Sequence, residues 1–329
     1  MKKMKFPKFV EKQELLGVFA PSAGVGRKLD DFRKSLDQLN QQGFKTKLGP
    51  LVEVNAIRSG TGKERAEELM NLHQDSSVKA LLCAAGGDFL IEMLPYVNFE
   101  ALAKNPKWMM GYSDPTSLLY ILTTKYDVAT LYGANAGSFD VDELPEWMLA
   151  PLDVLQGKSV DQKSTKYCDP LFRKGPAVYE TENHWKSFTG DLSVTGRCIG
   201  GCLDSLKDLF GTPYDGTTEF IERYQDETLI WYFDIFSMTA ENVYRTLLQM
   251  KSMGAFRKQD LVVAGRVLFP SSETGMSYEE ALKMALECNV IMEADIGHTY
   301  PRMVMINGAI AHVTVKGTQG SIAFDWNNQ

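Results

Sequence analysis

The sequence predicts an α/β protein with an amino-terminal doubly wound parallel-sheet domain and a carboxy-terminal α+β domain with antiparallel hairpins. Three observations lead to this prediction. Strand and helix signals alternate over the first 135 residues, as in repeated βαβ units. Residues 78–84 form an apolar run of the kind expected for a strand buried on both faces. Asn307 and Gly308 separate two further apolar runs, which is a strong hairpin signal.

The elements of the amino-terminal half follow from short apolar runs and from helical spacing. Strands are predicted at residues 15–20, 44–48, 78–84, 108–111 and 128–132, and helices at residues 29–39, 63–73, 90–94 and 115–126. In doubly wound sheets, ligands bind at the carboxyl ends of the strands. Gly86, Gly87 and Ser113 follow predicted strands, so we expect them to line the ligand crevice.

The periodic pattern is lost between residues 139 and 190, where proline, glycine and charged residues recur. We interpret this stretch as a connecting segment that could form a lid. The predicted domains are therefore residues 1–138, the segment 139–190, and residues 191–329. In the last of these, strands are predicted at residues 229–233 and 261–267, helices at 240–253 and 278–286, and a hairpin formed by residues 303–306 and 309–315.

Composition excludes several classes of function. The 329 residues carry a formal net charge of -7, which argues against nucleic acid and anionic membrane as partners. No apolar run is long enough to span a membrane, and the basic amino terminus lacks the apolar region of a signal peptide, so a cytoplasmic protein is expected. The five cysteines are an odd number and widely scattered, which indicates reduced thiols.

Three motifs that could bind a cofactor or a metal lack residues that such binding motifs require. Residues 59–63 resemble a phosphate loop, but Ile57 and Glu64 occupy the positions that need glycine and serine or threonine. Gly24 and Gly26 could open a dinucleotide-binding turn, but its third glycine is missing. Residues 198–202 place two cysteines one residue too far apart for a Cys-x-x-Cys zinc motif. We expect neither cofactor nor metal, and keep the dinucleotide enzyme as a minor alternative.

A serine at a predicted strand-to-helix turn is the first candidate for chemistry. Ser113 and Asp114 lie between the run 108–111 and a helix that begins at Pro115. Pro115 replaces the last glycine of the Gly-x-Ser-x-Gly elbow, but Asp114 is a good N-cap and proline suits the first helical position. An oxyanion formed at Ser113 would meet the N–H of Asp114 and one from Gly86 or Gly87. The alternative interpretation is a capped helix start without chemistry.

Of the four histidines, His298 is the best candidate for a general base. It follows a glycine in a loop at the end of an apolar run. His73 is expected at the surface, His312 in a structural contact, and His184 is a weaker candidate for substrate contact. Asp234 ends another apolar run and completes the set of nucleophile, base and orienting carboxylate.

Taken in order, the motifs resemble the LD-carboxypeptidase family of serine peptidases, which includes the microcin C immunity proteins. The similarity extends from about residue 15 to residue 315. The stretches that carry it are Gly86-Gly87, Leu94-Pro95-Tyr96, Asn105-Pro106-Lys107, Gly111-Tyr112-Ser113-Asp114, residues 196–203, and Asp295-Ile296-Gly297-His298.

The resemblance implies a serine–glutamate–histidine triad divided between two domains, a backbone oxyanion hole, no metal, and a homodimer. By position, Ser113 is the nucleophile and His298 the base, and the amides of Asp114 and of Gly86 or Gly87 form the oxyanion hole. Where the family has glutamate, this chain has Asp234, whose reach is shorter by roughly 1.5 Å, one carbon–carbon bond. Either the backbone comes closer, or another group such as Asp295 orients His298, or activity is low. We expect Asp234 to work, and an Asp234→Glu change to keep or improve turnover.

The leading hypothesis is a serine carboxypeptidase-like hydrolase that cleaves an amide bond of a small peptide. Its substrate would be the L,D-bond of a muropeptide or the acyl linkage of a peptidyl-nucleotide. Ala85 and Cys202 also differ from the residues that the family often has there, which leaves the substrate open. The alternative hypothesis is a non-catalytic peptide-binding homologue with a degraded triad.

Overall fold

The computed structural model describes residues 4–171 and 177–325. Residues 1–3, 172–176 and 326–329, which the predicted domain limits include, lie outside the described residues. The chain divides into two compact units. Unit 1 comprises Met1–Val160 and Val304–Ile306, and unit 2 comprises Asp161–Met303 and Asn307–Gln329.

In the described residues, strands and helices alternate in the first half, and strands dominate later. The strands are β1 (Leu15–Phe19), β2 (Lys45–Leu48), β3 (Val78–Cys83), β4 (Trp108–Gly111), β5 (Thr130–Tyr132), β6 (Asp161–Lys163), β7 (Tyr167–Cys168), β8 (Thr181–Glu182), β9 (Lys186–Ser187), β10 (Leu192–Cys202), β11 (Leu229–Asp234), β12 (Leu261–Gly265), β13 (Asn289–Ala294), β14 (Met305–Asn307), β15 (Ile310–Lys316) and β16 (Gln319–Asp325). The α-helices are α1 (Leu29–Gln41), α2 (Gly62–Gln74), α3 (Phe99–Lys104), α4 (Thr116–Tyr126), α5 (Glu146–Leu155), α6 (Leu203–Leu206), α7 (Thr217–Arg223), α8 (Ala240–Ser252) and α9 (Tyr278–Ala285). Short 3₁₀ helices cover Gly26–Lys28, Leu90–Tyr96 and Ala136–Ser138.

Unit 1 is built on a six-stranded sheet in the order β14-β5-β4-β3-β1-β2. The strands from β5 to β2 pair in parallel, which confirms the predicted amino-terminal parallel sheet. The side chains of β4 are all buried, as parallel strands covered on both faces require. The carboxyl ends of β1, β3 and β4 therefore lie along one edge, where the loops with Ser22, Gly86 and Ser113 begin.

Unit 2 contains an eight-stranded mixed sheet in the order β6-β16-β15-β10-β11-β12-β13-β9. Strands β10 to β13 are parallel, whereas β10, β15, β16 and β6 pair antiparallel. The predicted α+β class with antiparallel pairing is thus confirmed. Cys202 pairs with Asp234 where β10 and β11 end side by side. The sequence analysis missed β10, which has two glycines near its end and no simple alternation.

The predicted hairpin around Asn307 and Gly308 is wrong. β14 belongs to the sheet of unit 1 and β15 to that of unit 2, so the two strands do not pair. Asn307 instead accepts hydrogen bonds from the Gly200 N–H at 3.1 Å and from the Tyr232 hydroxyl at 3.0 Å. A tertiary role for its side chain therefore replaces the local turn that the dipeptide favours. The antiparallel hairpin is β15 and β16.

The segment 139–190 is more regular than its sequence indicates. It contains α5 and the short strands β6 to β9, although α5 includes Pro151. Its assignment as a lid stays a prediction, and residues 172–176 of it lie outside the described residues. No helix within residues 4–171 and 177–325 is long and apolar enough to cross a membrane.

Candidate active site

Ser113 lies in a strained turn between β4 and α4. Its φ is +70°, in the left-handed region that non-glycine residues seldom adopt. The turn is supported from the end of β5, because the Ser113 N–H donates to the Tyr132 hydroxyl at 3.3 Å. A serine on a strained strand-to-helix turn is the geometry in which nucleophile elbows expose the hydroxyl.

Asn135 fixes the residue before the serine. Its Oδ1 accepts from the Tyr112 N–H at 3.1 Å, and its Nδ2 donates to the Tyr112 carbonyl at 3.3 Å. Both backbone groups of Tyr112 are thereby satisfied by one amide side chain, as by a neighbouring strand. Neither Tyr132 nor Asn135 was predicted to have a role from the sequence. The available signal was polar groups at the end of a buried strand and in the turn that follows it.

Gly86 lies against the serine turn, and Gly87 lies against the loop that follows β1. A Cβ at Gly86 would lie 3.1 Å from Ser113 Oγ, and one at Gly87 would lie 2.4 Å from Ser22 Oγ. Gly87 also has a φ of +146°. A larger residue would crowd Ser113 at the first position and displace the loop from Ser22 at the second, so this close packing favours glycine.

The predicted N-cap role of Asp114 is wrong. Helix α4 begins at Thr116, and no side chain caps it. The Asp114 carboxylate, 7% exposed, instead accepts from the Leu90 N–H at 3.0 Å and from the Ser22 hydroxyl. Burial raises the pKa of this carboxyl to about 6, despite the hydrogen bonds, which act in the opposite direction.

Asp234 and His298 are in contact in unit 2. The distance from His298 Nδ1 to Asp234 Oδ2 is 2.7 Å, and the carboxylate is fully buried at the end of β11. The backbone at Gly297 approaches so closely that a Cβ there would lie 2.0 Å from Asp234 Oδ1. Gly297 has a φ of +105°, which permits this path. The loop before His298 therefore packs directly against the Asp234 carboxylate.

Asp295 makes other contacts. Its carboxylate accepts from Arg266 at 2.6 Å, from Asn183 at 2.9 and 3.0 Å, and from the Trp185 indole at 3.1 Å. Arg266 also donates to Thr299 Oγ1 at 3.1 Å and to the Pro301 carbonyl at 3.0 Å. This buried network supports the loop on either side of His298. The sequence analysis did not find it, because its members are far apart in the chain.

An aromatic ring lies beside the imidazole. The rings of Phe236 and His298 are 4.6 Å apart with an interplanar angle of 47°. Asp204, at the start of α6, accepts from the Phe236 and Ser237 N–H groups, both at 2.9 Å, and so fixes the turn after Asp234. These contacts restrict the imidazole and its carboxylate to one arrangement.

The remaining histidines make contacts elsewhere. His73 is only 7% exposed, and its Nε2 is 2.9 Å from the Asn105 carbonyl, so the predicted surface position is wrong. His312 Nδ1 is 2.8 Å from Thr195 Oγ1, a structural contact between β15 and β10. His184 forms an exposed ion pair with Glu182 at 3.3 Å.

The motifs considered for cofactors have structural explanations. Cβ atoms at Gly24 and Gly26 would lie 2.2 Å from the Val54 carbonyl and 2.5 Å from that of Glu53, so both glycines serve backbone packing. The five cysteines are free thiols. Within the described ranges, no cluster of histidine, cysteine and acidic side chains has the arrangement of a metal site.

The structure therefore gathers the predicted residues into two groups. Ser113, Asp114, Gly86 and Gly87 form one group in unit 1, and Asp234 and His298 form the other in unit 2. A strained serine beside glycine backbone, and an imidazole paired with a buried carboxylate, are the components of a peptidase-like hydrolase.

Comparison with known proteins identifies the family. The LD-carboxypeptidase N-terminal domain matches residues 16–133, and the LD-carboxypeptidase C-terminal domain matches residues 195–313. The chain belongs to the LD-carboxypeptidase family, and the fold and family together make it a peptidase-like hydrolase.

The relatives include carboxypeptidases and an immunity protein. A Vibrio cholerae protein named as a carboxypeptidase is 29% identical over 94% of this chain and 92% of its own. The microcin C7 self-immunity protein MccF of Escherichia coli is 26% identical over 89% of this chain and 88% of its own.

Solved structures share the fold. MccF in complex with aspartyl sulfamoyl adenosine superimposes with a TM-score of 0.79 at 24% identity, over 96% of this chain and 98% of that one. Muramoyltetrapeptide carboxypeptidase from Oxalobacter formigenes gives a TM-score of 0.74 at 20% identity, over 95% and 99% of the two chains. At these identities the superpositions show the fold alone.

Proposed function

We propose that the protein is a serine carboxypeptidase-like hydrolase with Ser113 as nucleophile, His298 as general base and Asp234 as orienting carboxylate. The observation that carries this proposal is the 2.7 Å contact between His298 Nδ1 and the buried Asp234 carboxylate. Aspartate in place of the family's glutamate was the reason to consider a degraded triad. The backbone at Gly297, packed against Asp234, supports a working aspartate in this position.

The reaction follows the chemistry of serine acyl transfer. His298 Nε2 takes the Ser113 hydroxyl proton as Oγ attacks the amide carbonyl, and Asp234 stabilises the imidazolium through Nδ1. The oxyanion accepts hydrogen bonds from the Asp114 N–H and from that of Gly86 or Gly87. His298 then gives its proton to the leaving amine, the amide carbon–nitrogen bond breaks, and water hydrolyses the acyl-enzyme by the same route.

The relatives support a small peptide or peptidyl-nucleotide as the substrate. MccF has been solved with aspartyl sulfamoyl adenosine and with glutamyl sulfamoyl guanosine, and another neighbour is a muramoyltetrapeptide carboxypeptidase. We therefore propose cleavage of a muropeptide L,D-bond or of the acyl linkage in a peptidyl-nucleotide. The cytoplasmic location and the homodimer stay predictions.

A serine-directed fluorophosphonate tests the mechanism. Labelling should occur on the wild-type protein and be lost in Ser113→Ala, with a buried serine of α1, Ser35→Ala, as the matched control that keeps it. Incubation with a muropeptide panel and an aspartyl-nucleotide conjugate, read by mass spectrometry, should identify the bond that is cut.

The alternative of a non-catalytic binding homologue rests on Asp234 standing where the family has glutamate. It predicts that the wild-type protein binds a muropeptide without cleavage and without labelling at Ser113. That result would replace the hydrolase proposal. Tight binding of NAD in calorimetry would instead favour the dinucleotide enzyme.

A further inference from the structure

Ser22 is a buried hydroxyl for which the proposed triad has no role. It follows β1, is 0% exposed, and lies beside the loop that contains Gly86 and Gly87. Its Oγ accepts the Phe89 N–H at 3.0 Å and donates to the Asp114 carboxylate. One hydroxyl therefore joins the glycine loop to the first residue after Ser113.

The Asp114 carboxylate makes a second connection between the same two segments. It accepts a hydrogen bond from the Leu90 N–H at 3.0 Å and a second backbone hydrogen bond from the Phe89 N–H. Near Gly86, the Ala23 N–H donates to the Gly86 carbonyl at 3.3 Å. The loop from Gly86 to Leu90 is thus connected both to the β1 loop and to the serine turn.

The β1 loop is itself fixed by buried polar side chains. Ser59 donates its N–H to the Ser22 carbonyl at 3.0 Å and its hydroxyl to the Ala20 carbonyl at 2.7 Å. Arg65, fully buried, donates to the carbonyls of Pro21 at 2.7 Å and Phe89 at 2.8 Å. These hydrogen bonds hold the loop that contains Ser22 rigidly, so its hydroxyl has a fixed position.

We propose that the Ser22 hydroxyl and the Asp114 carboxylate are positioning residues that hold the two oxyanion-hole segments, the Gly86/Gly87 loop and the Asp114 amide, at a fixed separation. This inference rests on the proposed function. Oxyanion stabilisation requires donors placed in advance where the charge develops, so a small shift of the glycine loop lowers the rate of the chemical step. Because the oxyanion forms only in the chemical step, we expect the loss to affect kcat more than KM.

The electrostatic environment of the pair is consistent with this role. Burial raises the Asp114 pKa, and nearby Asp88 acts in the same direction. The buried Arg65 interacts electrostatically with Asp114 and forms an ion pair with the partly exposed Glu92 at 2.7 Å. Burial disfavours the charged form of Asp114. Its role in the fold is to accept hydrogen bonds from the Leu90 N–H and the Ser22 hydroxyl.

Ser22→Ala is the direct test, because it removes the shared hydroxyl and leaves Ser113, His298 and Asp234 unchanged. We expect kcat to fall about 10- to 100-fold, less than the 10²–10³ typical of deleting an oxyanion donor, with KM changed by less than about 2-fold. The rate of fluorophosphonate labelling should fall in parallel. Binding of an uncleaved substrate in a Ser113→Ala background should stay unchanged.

Thr123→Val is the matched control. Thr123 is also 0% exposed, and its hydroxyl donates to the Val128 carbonyl at 2.9 Å near the far end of α4. The change removes a buried hydroxyl of unit 1 without touching the glycine loop. We expect this variant to lose thermal stability to a comparable extent and to keep the kcat of the wild-type protein.

The outcomes separate this inference from the proposed function. If the wild-type protein is neither labelled nor active, the proposed function fails. If the wild-type is active and Ser22→Ala keeps the wild-type kcat, the positioning role is wrong. It is also wrong if Thr123→Val lowers kcat as much as Ser22→Ala does. Should Ser22→Ala not fold, Asp114→Asn decides: an amide replaces one of the two oxygens that accept from Ser22 and Leu90, so kcat should fall about 10-fold with KM little changed, and an unchanged kcat would overturn the inference.

Discussion

His298 Nδ1 lies 2.7 Å from Asp234 Oδ2, and the backbone of Gly297 is packed against the other oxygen of the same carboxylate. A side chain on residue 297 would overlap that carboxylate, and the residue has a φ of +105°, so the contact between His298 and Asp234 depends on glycine at this position.

Asp234→Asn should lower kcat by about 10⁴-fold, because an amide cannot hold the imidazole in the correct tautomer or stabilise its positive charge. Asp234→Glu should also lose activity, since the side chain is fully buried and the loop already approaches it closely. This prediction differs from the expectation based on the sequence, that Asp234→Glu would keep or improve turnover. Steady-state kinetics on the substrate identified by mass spectrometry decide it, and wild-type turnover in Asp234→Asn would remove Asp234 from the mechanism.

Gly297→Ala should displace His298. A Cβ would lie 2.0 Å from Asp234 Oδ1, and the φ of +105° adds backbone strain. Gly275→Ala is the matched control, because Gly275 has a φ of +85° with no atom within 4 Å of a Cβ. Both variants should lose about 1–3 kcal/mol of unfolding free energy through strain, and only Gly297→Ala should lose activity. Equal kcat in the two variants would contradict the steric argument.

Asp114 gives a pH dependence of stability with a definite sign. Its pKa is raised from 3.8 to about 6 in the folded protein, so the folded state binds the proton more tightly than the unfolded state. The contribution of this group is therefore fully present below about pH 4 and is lost as pH rises through about 6. Relative to Asp114→Asn, the wild-type should gain about 2 kcal/mol of unfolding free energy between pH 8 and pH 4.

Urea unfolding of both proteins at each pH measures this difference. Carboxyls with lowered pKa values, such as Glu279, contribute equally to the stability of both proteins, so their effect cancels in the difference. A difference that is constant with pH would mean that Asp114 titrates normally.

The buried pair of Arg266 and Asp295 should be essential for the loop that contains His298. The two groups are 2.6 Å apart, 4% and 1% exposed, and Asp295→Asn leaves the guanidinium without its counter-charge. We expect a loss of about 3–5 kcal/mol in unfolding free energy. Glu287→Gln, which breaks the exposed pair with Lys251, should cost about 0–1 kcal/mol. Denaturant titrations of the two variants compare these costs directly.

Much of the first half of the fold could be predicted from local patterns. β1, β3, β4, α2 and α4 are each indicated by an apolar run or by helical spacing. The 3₁₀ helix Leu90–Tyr96 was predicted as a helix, and α3 was missed. Such local signals are reliable where burial and periodicity agree.

The failures have a common physical cause. Asn307 and Gly308 favour a hairpin locally, yet the flanking strands belong to different sheets and Asn307 bonds to Gly200 and Tyr232. Asp114 favours an N-cap locally, yet its side chain bonds to Leu90 and Ser22. In both cases distant donors compete with the local structure, and a single sequence carries no record of them.

By itself, the sequence determined the fold class, the family and the residue types available for chemistry, because these depend on composition, periodicity and the order of motifs along the chain. Only the tertiary structure decided that Ser113 is in a left-handed turn, that Gly297 brings His298 to Asp234, and that Ser22 joins Asp114 to the glycine loop. Each of these depends on the path of the folded backbone and on close contacts between groups that the order of residues along the chain does not bring together.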